Sequence, residues 1–255
     1  MLDALYTAAS GMLAQQTGMD AIANNLSNAN TVAFKAGRTA FEDLLYTELG
    51  PRQAARQGSQ MGLGVAVAAI QTQMAQGAFQ TTGSPTDVAV EGQGFLAVQR
   101  PDGSRAYTRA GNLTLDATGR LVTASGGIVL PRLQVPAGTD MASLSIAATG
   151  AVTARVGGAE RIIGRLELST FPNPHGLESV GGNLFVESPN SGAGQAGAPG
   201  AGGRGLLRQG TLEMSNVNAV DEMVGMITTQ RTYESVAKVV SASDEMLNTA
   251  NQLRR

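Results

Sequence analysis

The sequence predicts an α+β chain: long N- and C-terminal helices that pair as a coiled coil, with a central all-β domain of short antiparallel strands. Apolar residues recur in alternating three- and four-residue steps at both ends, and the period falls to two between them. A third observation is a deficit of charge. Only 15% of the 255 residues are charged, where about a quarter is usual.

At the N-terminus Leu2, Leu5, Ala9, Met12, Met19, Ala23 and Leu26 follow one seam, with Gln16 in its polar slot. At ~1.5 Å per residue such a helix is roughly 40 Å long. Its other face carries Thr7, Gln15, Thr17, Asn24 and Asn25, and Asp3 and Asp20 are the only charges before Lys35. A helix solvated on one side normally shows a charged face there. This one suits neighbours on every side. From Asn218 to Leu253 the pattern returns in Met223, Met226, Tyr233, Ala237, Val240 and Leu247. Val220, Val224, Ile227, Val236, Val239 and Met246 widen the apolar surface beyond one seam. Asn216 or Asn218 can cap the start, Asp221 and Glu222 suit the first turn, and Arg254 and Arg255 suit the last.

The middle of the chain reads as strands. DVAVEGQGFLAVQ, RAYTRAGNLTLD and RLVTASGGIVL are broken by the turn clusters at 101–104 and 116–119, and SLSIAATGAVTARV is a hairpin around Thr149-Gly150. RIIGRLELSTF is a further strand. NLFVES and GLLRQGTLEMS flank SPNSGAGQAGAPGAGGRG, which reads as a flexible Gly/Ala/Pro loop. In the segment 34–80, FEDLLYTEL is expected to form one or two helical turns, and Gly50-Pro51 opens an extended linker.

Chemistry finds little support. There is no Cys and one His, which excludes disulfide scaffolds, thiolate nucleophiles and Cys/His zinc sites. His175 lies in a Pro/Asn/Gly turn without a GxSxG elbow and reads as an exposed turn residue. Gly92-Gln93-Gly94-Phe95-Leu96-Ala97 matches the dinucleotide pattern GxGxxA, but an alternating strand follows where a helix is required, so a tight turn is expected. Asp87, Glu91, Asp102 and Asp116 sit in separate turns. No catalytic, cofactor or metal site is expected. Net charge is −2, which provides no footprint for nucleic acid, and no run of 18 apolar residues predicts membrane insertion. The N-terminus does not read as a cleaved signal peptide.

The run ANNLSNANTVAFK at 23–35 has two readings. Asn24, Asn25, Asn28 and Asn30 can end a helix, bonding local backbone and tolerating the left-handed conformation, or their amides can bond neighbouring chains. Helices with apolar surface on more than one side call for association, and heterologous contacts that do not close give an open helical filament.

ANNLSNANTVAFK resembles the N-terminal signature of bacterial flagellar rod and hook proteins, and LEMSNVNAVDEMVGMITTQRTYESVAKVV at 212–240 resembles the C-terminal one. DVAVEGQGFLAV, AYTRAGNLTLDATGRLVTASG and GLESVGGNLF resemble the shared β domain. Length and the FEDLLY segment are most similar to distal-rod members, with proximal-rod members the near alternative. The resemblance implies a non-enzymatic polymer subunit of the basal body, spanning the periplasm and exported without a cleaved signal. Residues 1–33 and 217–255 would form an inner helical tube, 34–80 a connecting region and 81–216 an outer β domain. Its partners would be further copies of itself, proximal rod and hook subunits, peptidoglycan and outer-membrane ring proteins, and the export apparatus. The assembly contacts would come from Leu2, Leu5, Met12, Met19, Ile22, Leu26, Asn24, Asn25 and Asn28, with Asn216, Met223, Met226, Ile227, Gln230, Tyr233, Val240 and Leu247. Two other classes remain open from the residues alone: a glycan hydrolase of the envelope, and a secreted β-rich adhesin with helical oligomerisation tails.

Overall fold

The change of period from 3.5 to two marks where helix gives way to sheet. The computed structural model describes residues 2–48, 60–136, 138–139 and 141–253, so the Gly50-Pro51 linker and the terminal arginines Arg254 and Arg255 lie outside the described residues. Two compact units form: a helical unit of Met1–Ser27, Ala36–Gln73 and Asn218–Arg255, and a β unit of Asn28–Lys35 and Met74–Val217.

In the helical unit, α1 spans Leu2–Ser27 and α2 spans Ala219–Leu253. Between them in sequence come β1 (Gly37–Asp43), β2 (Tyr46–Glu48), β3 (Gln60–Gly62) and β4 (Val65–Thr72). Asn218 caps α2, accepting the Val220 N–H on Oδ1 at 3.1 Å, and Asp221 and Glu222 occupy the first turn as the macrodipole favours. The two helices pack antiparallel in a fixed register. A Cβ placed on Gly11 would lie 4.0 Å from Val236, one on Gly18 would lie 3.9 Å from Thr229, and Asn25 bonds Glu222. Each step of seven along α1 is thus matched by a step of seven back along α2. The buried positions of α1 are small: Ala8, Ala14, Gly18, Ala21 and Asn25. They are offset from the large-residue seam of Leu5, Met12, Met19 and Leu26, which stays half-buried. Small side chains win the inner face because they let backbones approach closely; the Cβ site of Gly18 is 3.6 Å from the Phe41 ring.

The helical turns expected over FEDLLYTEL do not form. Phe41–Asp43 ends β1, which pairs antiparallel with β4 in the register Phe41↔Val67, Glu42↔Ala66 and Asp43↔Val65, and Tyr46–Glu48 pairs with β3. The ladder partners in β3 and β4 override local helix propensity.

In the β unit the strands are β5 (Phe79–Thr81), β6 (Val88–Glu91), β7 (Phe95–Gln99), β8 (Arg105–Thr108), β9 (Leu113–Leu115), β10 (Leu121–Thr123), β11 (Ile128–Val129) and β12 (Ser145–Ile146). There follow β13 (Ala151–Val156), β14 (Ala159–Arg165), β15 (Leu168–Thr170), β16 (Glu178–Gly181), β17 (Leu184–Val186), β18 (Gln195–Gly197), β19 (Leu206–Gln209) and β20 (Thr211–Glu213). The main sheet runs β16-β17-β8-β7-β11-β10-β9, with β15 joining β7 and β18. All the pairings in it are antiparallel. The hairpin at Thr149-Gly150 forms as β12 and β13. RIIGRLELSTF divides into two strands, β14 and β15, rather than one.

Strand alternation creates two cores, one on each face. From β7, β8 and β17, Leu96, Val98, Ala106 and Leu184 enter the aliphatic core with Val88, Leu121, Leu168 and Leu207. Their neighbours Phe95, Tyr107 and Phe185 enter an aromatic core with Phe171 and Leu177. The rings meet edge to face, with Tyr107 and Phe171 centroids 4.8 Å apart. Tyr107 donates its hydroxyl to Glu187; burial and then the Glu187 carboxylate push its pKa up to about 12.

The Gly/Ala/Pro segment read as a flexible loop is organised instead. It contributes β18, and Arg204 donates to the carbonyls of Leu168, Gln195, Ala196 and Ala201. One guanidinium gathers four acceptors that glycine-rich backbone alone would leave to water. At Gly92-Gln93-Gly94 the expected tight turn forms, with φ +102° and +136° at the glycines, a region open to Gly and costly to other residues.

A buried ion cluster lies in the same unit. Lys35 and Glu213 form an ion pair with both side chains fully buried, and Arg109 Nε lies 3.4 Å from the other Glu213 oxygen. Arg109 also donates to Gly92 O and sits over the Phe95 ring at 5.6 Å. Burial drives the pKa of both cations down, and the Glu213 charge opposes that shift at each.

Candidate assembly surface

Large apolar side chains lie on the outside of the helical unit. Leu13 of α1 is 66% exposed and Val220 of α2 is 67% exposed, and Tyr6, Met223, Val224, Ile227, Val239 and Met246 are exposed too. The β1–β4 ribbon adds Phe41 and Ile70, and the link between β1 and β2 adds Leu45. Scattered exposed leucines are ordinary, but an interior seam of Ala and Gly beneath an exterior of Leu, Ile, Val and Met inverts the usual order. The unit keeps its large apolar area for something other than its own core.

Met223, Ile227, Gln230 and Tyr233 are exposed, and Met226 and Val240 half-buried, as are Leu5, Met12, Met19, Ile22 and Leu26. The side chains of Leu2 and Leu247 lie outside the described ones. The asparagines divide. Asn24 is exposed, whereas Asn25 is buried and acts on its own chain. Its Nδ2 donates to Gly37 O at 2.9 Å and to Glu222 Oε1 at 3.1 Å, and its Oδ1 accepts the Gly37 N–H at 2.9 Å. The side-chain amide thus bonds β1 as a neighbouring strand would while tethering α2. Asn28 accepts from Thr31, and the left-handed position in this turn is taken by Ala33 (φ +57°) rather than by an asparagine. Asn216 is half-buried in the β unit, where it donates to Ala75 O. Asn25→Ala strands both Gly37 backbone groups and is expected to destabilise the helical unit by about 1–3 kcal/mol, read as faster amide exchange at Gly37 with little change in the β unit.

Tyr6, Leu13, Leu45 and Ile70 are exposed apolar residues that the heptad seams do not include. The seven-residue spacing of Tyr6 and Leu13 was the available signal. Among the described residues, no cluster of His, Asp and Glu is placed to hold a metal, and no helix is long and apolar enough to cross a membrane. His175 is exposed in a short 3-10 turn.

Three family descriptions match successive parts of the chain: "Flagella basal body rod protein" at residues 5–35, "Flagellar hook protein FlgE/F/G D1 domain" at 89–154 and "Flagellar basal body rod FlgEFG protein C-terminal" at 208–253. Flagellar basal-body rod protein FlgG of Borreliella burgdorferi is 46% identical over all of both chains. The protein of that name from Bacillus subtilis is 41% identical over all of both chains, and that from Caulobacter vibrioides 40% identical over 99% of this chain and all of its own. The chain belongs to the flagellar basal-body rod protein family. As a rod-family member it is a structural subunit and not an enzyme, and its place is the flagellar basal body. The first and last family matches fall largely on α1 and α2, the elements that carry the exposed apolar surface.

Proposed function

We propose that the chain is the distal-rod subunit, self-assembling into a helical tubular drive shaft that carries torque from motor to hook and surrounds the export channel. The exposed apolar exterior over a small-residue seam carries this reading, because only neighbouring copies at high local density would cover it along its whole length. Greater identity to proteins named FlgG than to the FlgF protein of Caulobacter vibrioides, at 34%, supports the distal over the proximal subtype. The seven-residue recurrence of contacts between α1 and α2 supports a coiled-coil pairing, because heptad spacing keeps one seam in contact along a supercoil. On this reading residues 1–33 and 217–255 line the inner tube, 34–80 connect, and 81–216 face outward. The remaining partners are proximal rod and hook subunits, the surrounding ring proteins and the export apparatus. Rigidity comes from many simultaneous helix contacts, and ordering of the helices is completed on joining the growing end. The test is a strain whose only copy lacks residues 1–30. Basal bodies that stop short of the distal rod are expected under electron microscopy, while full-length rods would overturn the reading.

A further inference from the structure

The chain passes between the two units at four peptide bonds, after residues 27, 35, 73 and 217. Within the β unit, the residues beside three of those crossings are tied into one knot. Ala75 O accepts from Lys35 Nζ at 2.7 Å and from Asn216 Nδ2 at 3.1 Å, and Phe34 O accepts the Asn216 N–H at 3.3 Å. At the centre is Glu213. One carboxylate oxygen accepts from Lys35 and from the Gly77 N–H at 3.0 Å, its backbone carbonyl accepts the Ala33 N–H at 2.8 Å, and its other oxygen faces Arg109. The backbone fits closely here, since a Cβ on Gly77 would lie 2.0 Å from Met214 O.

We propose that the Lys35–Glu213–Arg109 cluster is a mechanical clasp: it gathers the connecting segments at 28–35, 74–78 and 211–217 so that strain entering the β unit along one of them is shared by all. This rests on the torque-bearing rod reading. The choice of ions fits the task. Buried apolar residues of similar volume would give equal or greater stability, but dispersion is forfeited within an ångström of separation, whereas Coulomb attraction falls only as the inverse of distance. An ionic clasp therefore gives way gradually under displacement. Two cations on one carboxylate also make Lys35 the member whose removal leaves a balanced pair, Arg109 with Glu213.

The experiment uses full-length Lys35→Met, with Lys35→Arg as the charge-preserving control. By hydrogen exchange, amides in 28–35 and 74–78 of Lys35→Met are expected to open about tenfold more often, while those of β7 and β8 are unchanged and Lys35→Arg stays near wild type. In cells, Lys35→Met rods are expected to assemble, with swimming speed falling by a larger factor in viscous medium than in dilute buffer. Unchanged exchange at the connecting segments overturns the clasp, as does uniform loss of protection across the β unit, which would make the cluster a requirement of the fold. Faster exchange with an unaltered viscous-to-dilute speed ratio also overturns it. Failure of the wild-type gene to restore rods in a deletion strain would instead overturn the rod reading, leaving the exchange result intact.

Discussion

Glu213→Gln is expected to destabilise the β unit by about 3–5 kcal/mol, the cost of leaving buried charge without its partner. The substitution keeps the shape and removes the carboxylate charge that Lys35 and Arg109 share. Water cannot take over, because the Lys35 and Glu213 side chains are fully buried. Against a total stability of about 5–15 kcal/mol this is a large fraction, and it corresponds to a fall of roughly 6–20 °C in the melting temperature of a unit this size. Calorimetry of the full-length chain checks it, and a shift below about 2 °C would show that the cluster contributes little.

Ile227→Asp is expected to leave the subunit folded and abolish its incorporation into rods. Ile227 is 52% exposed in the single chain, so the change in subunit stability should stay within about 0.5 kcal/mol. In a packed polymer the same carboxylate would lose water at every subunit contact, costing several kcal/mol each time. The melting curve and a count of assembled rods therefore separate: one unchanged, the other near zero. Rods in normal number would mean that this face of α2 stays open to water after assembly. Leu13→Asp applies the same test to α1.

Period alone made both terminal helices and most strands legible; in β7, β8 and β17 the alternation sends neighbouring residues into two distinct cores. What escaped depends on residues distant in sequence. FEDLLYTEL has the local composition of a helix, and only pairing with β3 and β4 makes it extended. Large residues mark a helix seam by their period, but Gly18 and Ala21 take buried positions because close approach favours the smallest side chains. The segment 188–205 has a linker's composition, and the single Arg204 that orders it carries no local signal. Lys35, Arg109 and Glu213 are spread across most of the chain, so nothing in spacing announces their meeting. Of the asparagines, Asn25 bonds Gly37 of its own chain, a partner that lies beyond the helix end and outside any local pattern.

The Ala/Gly seam between α1 and α2 also bears on how growth is controlled. Small side chains bury little apolar area, about 25 cal/mol for each Å² removed from water, so in the rod assembly proposed above neighbouring subunits would supply much of the burial that holds the helical pair. Stability of this unit then rises with subunit concentration, as mass action requires of any fold completed by a partner. An isolated subunit is a poor template and an existing end a good one. Elongation is thereby separated from spontaneous nucleation, and a shaft that must start in one place need not be protected from starting elsewhere.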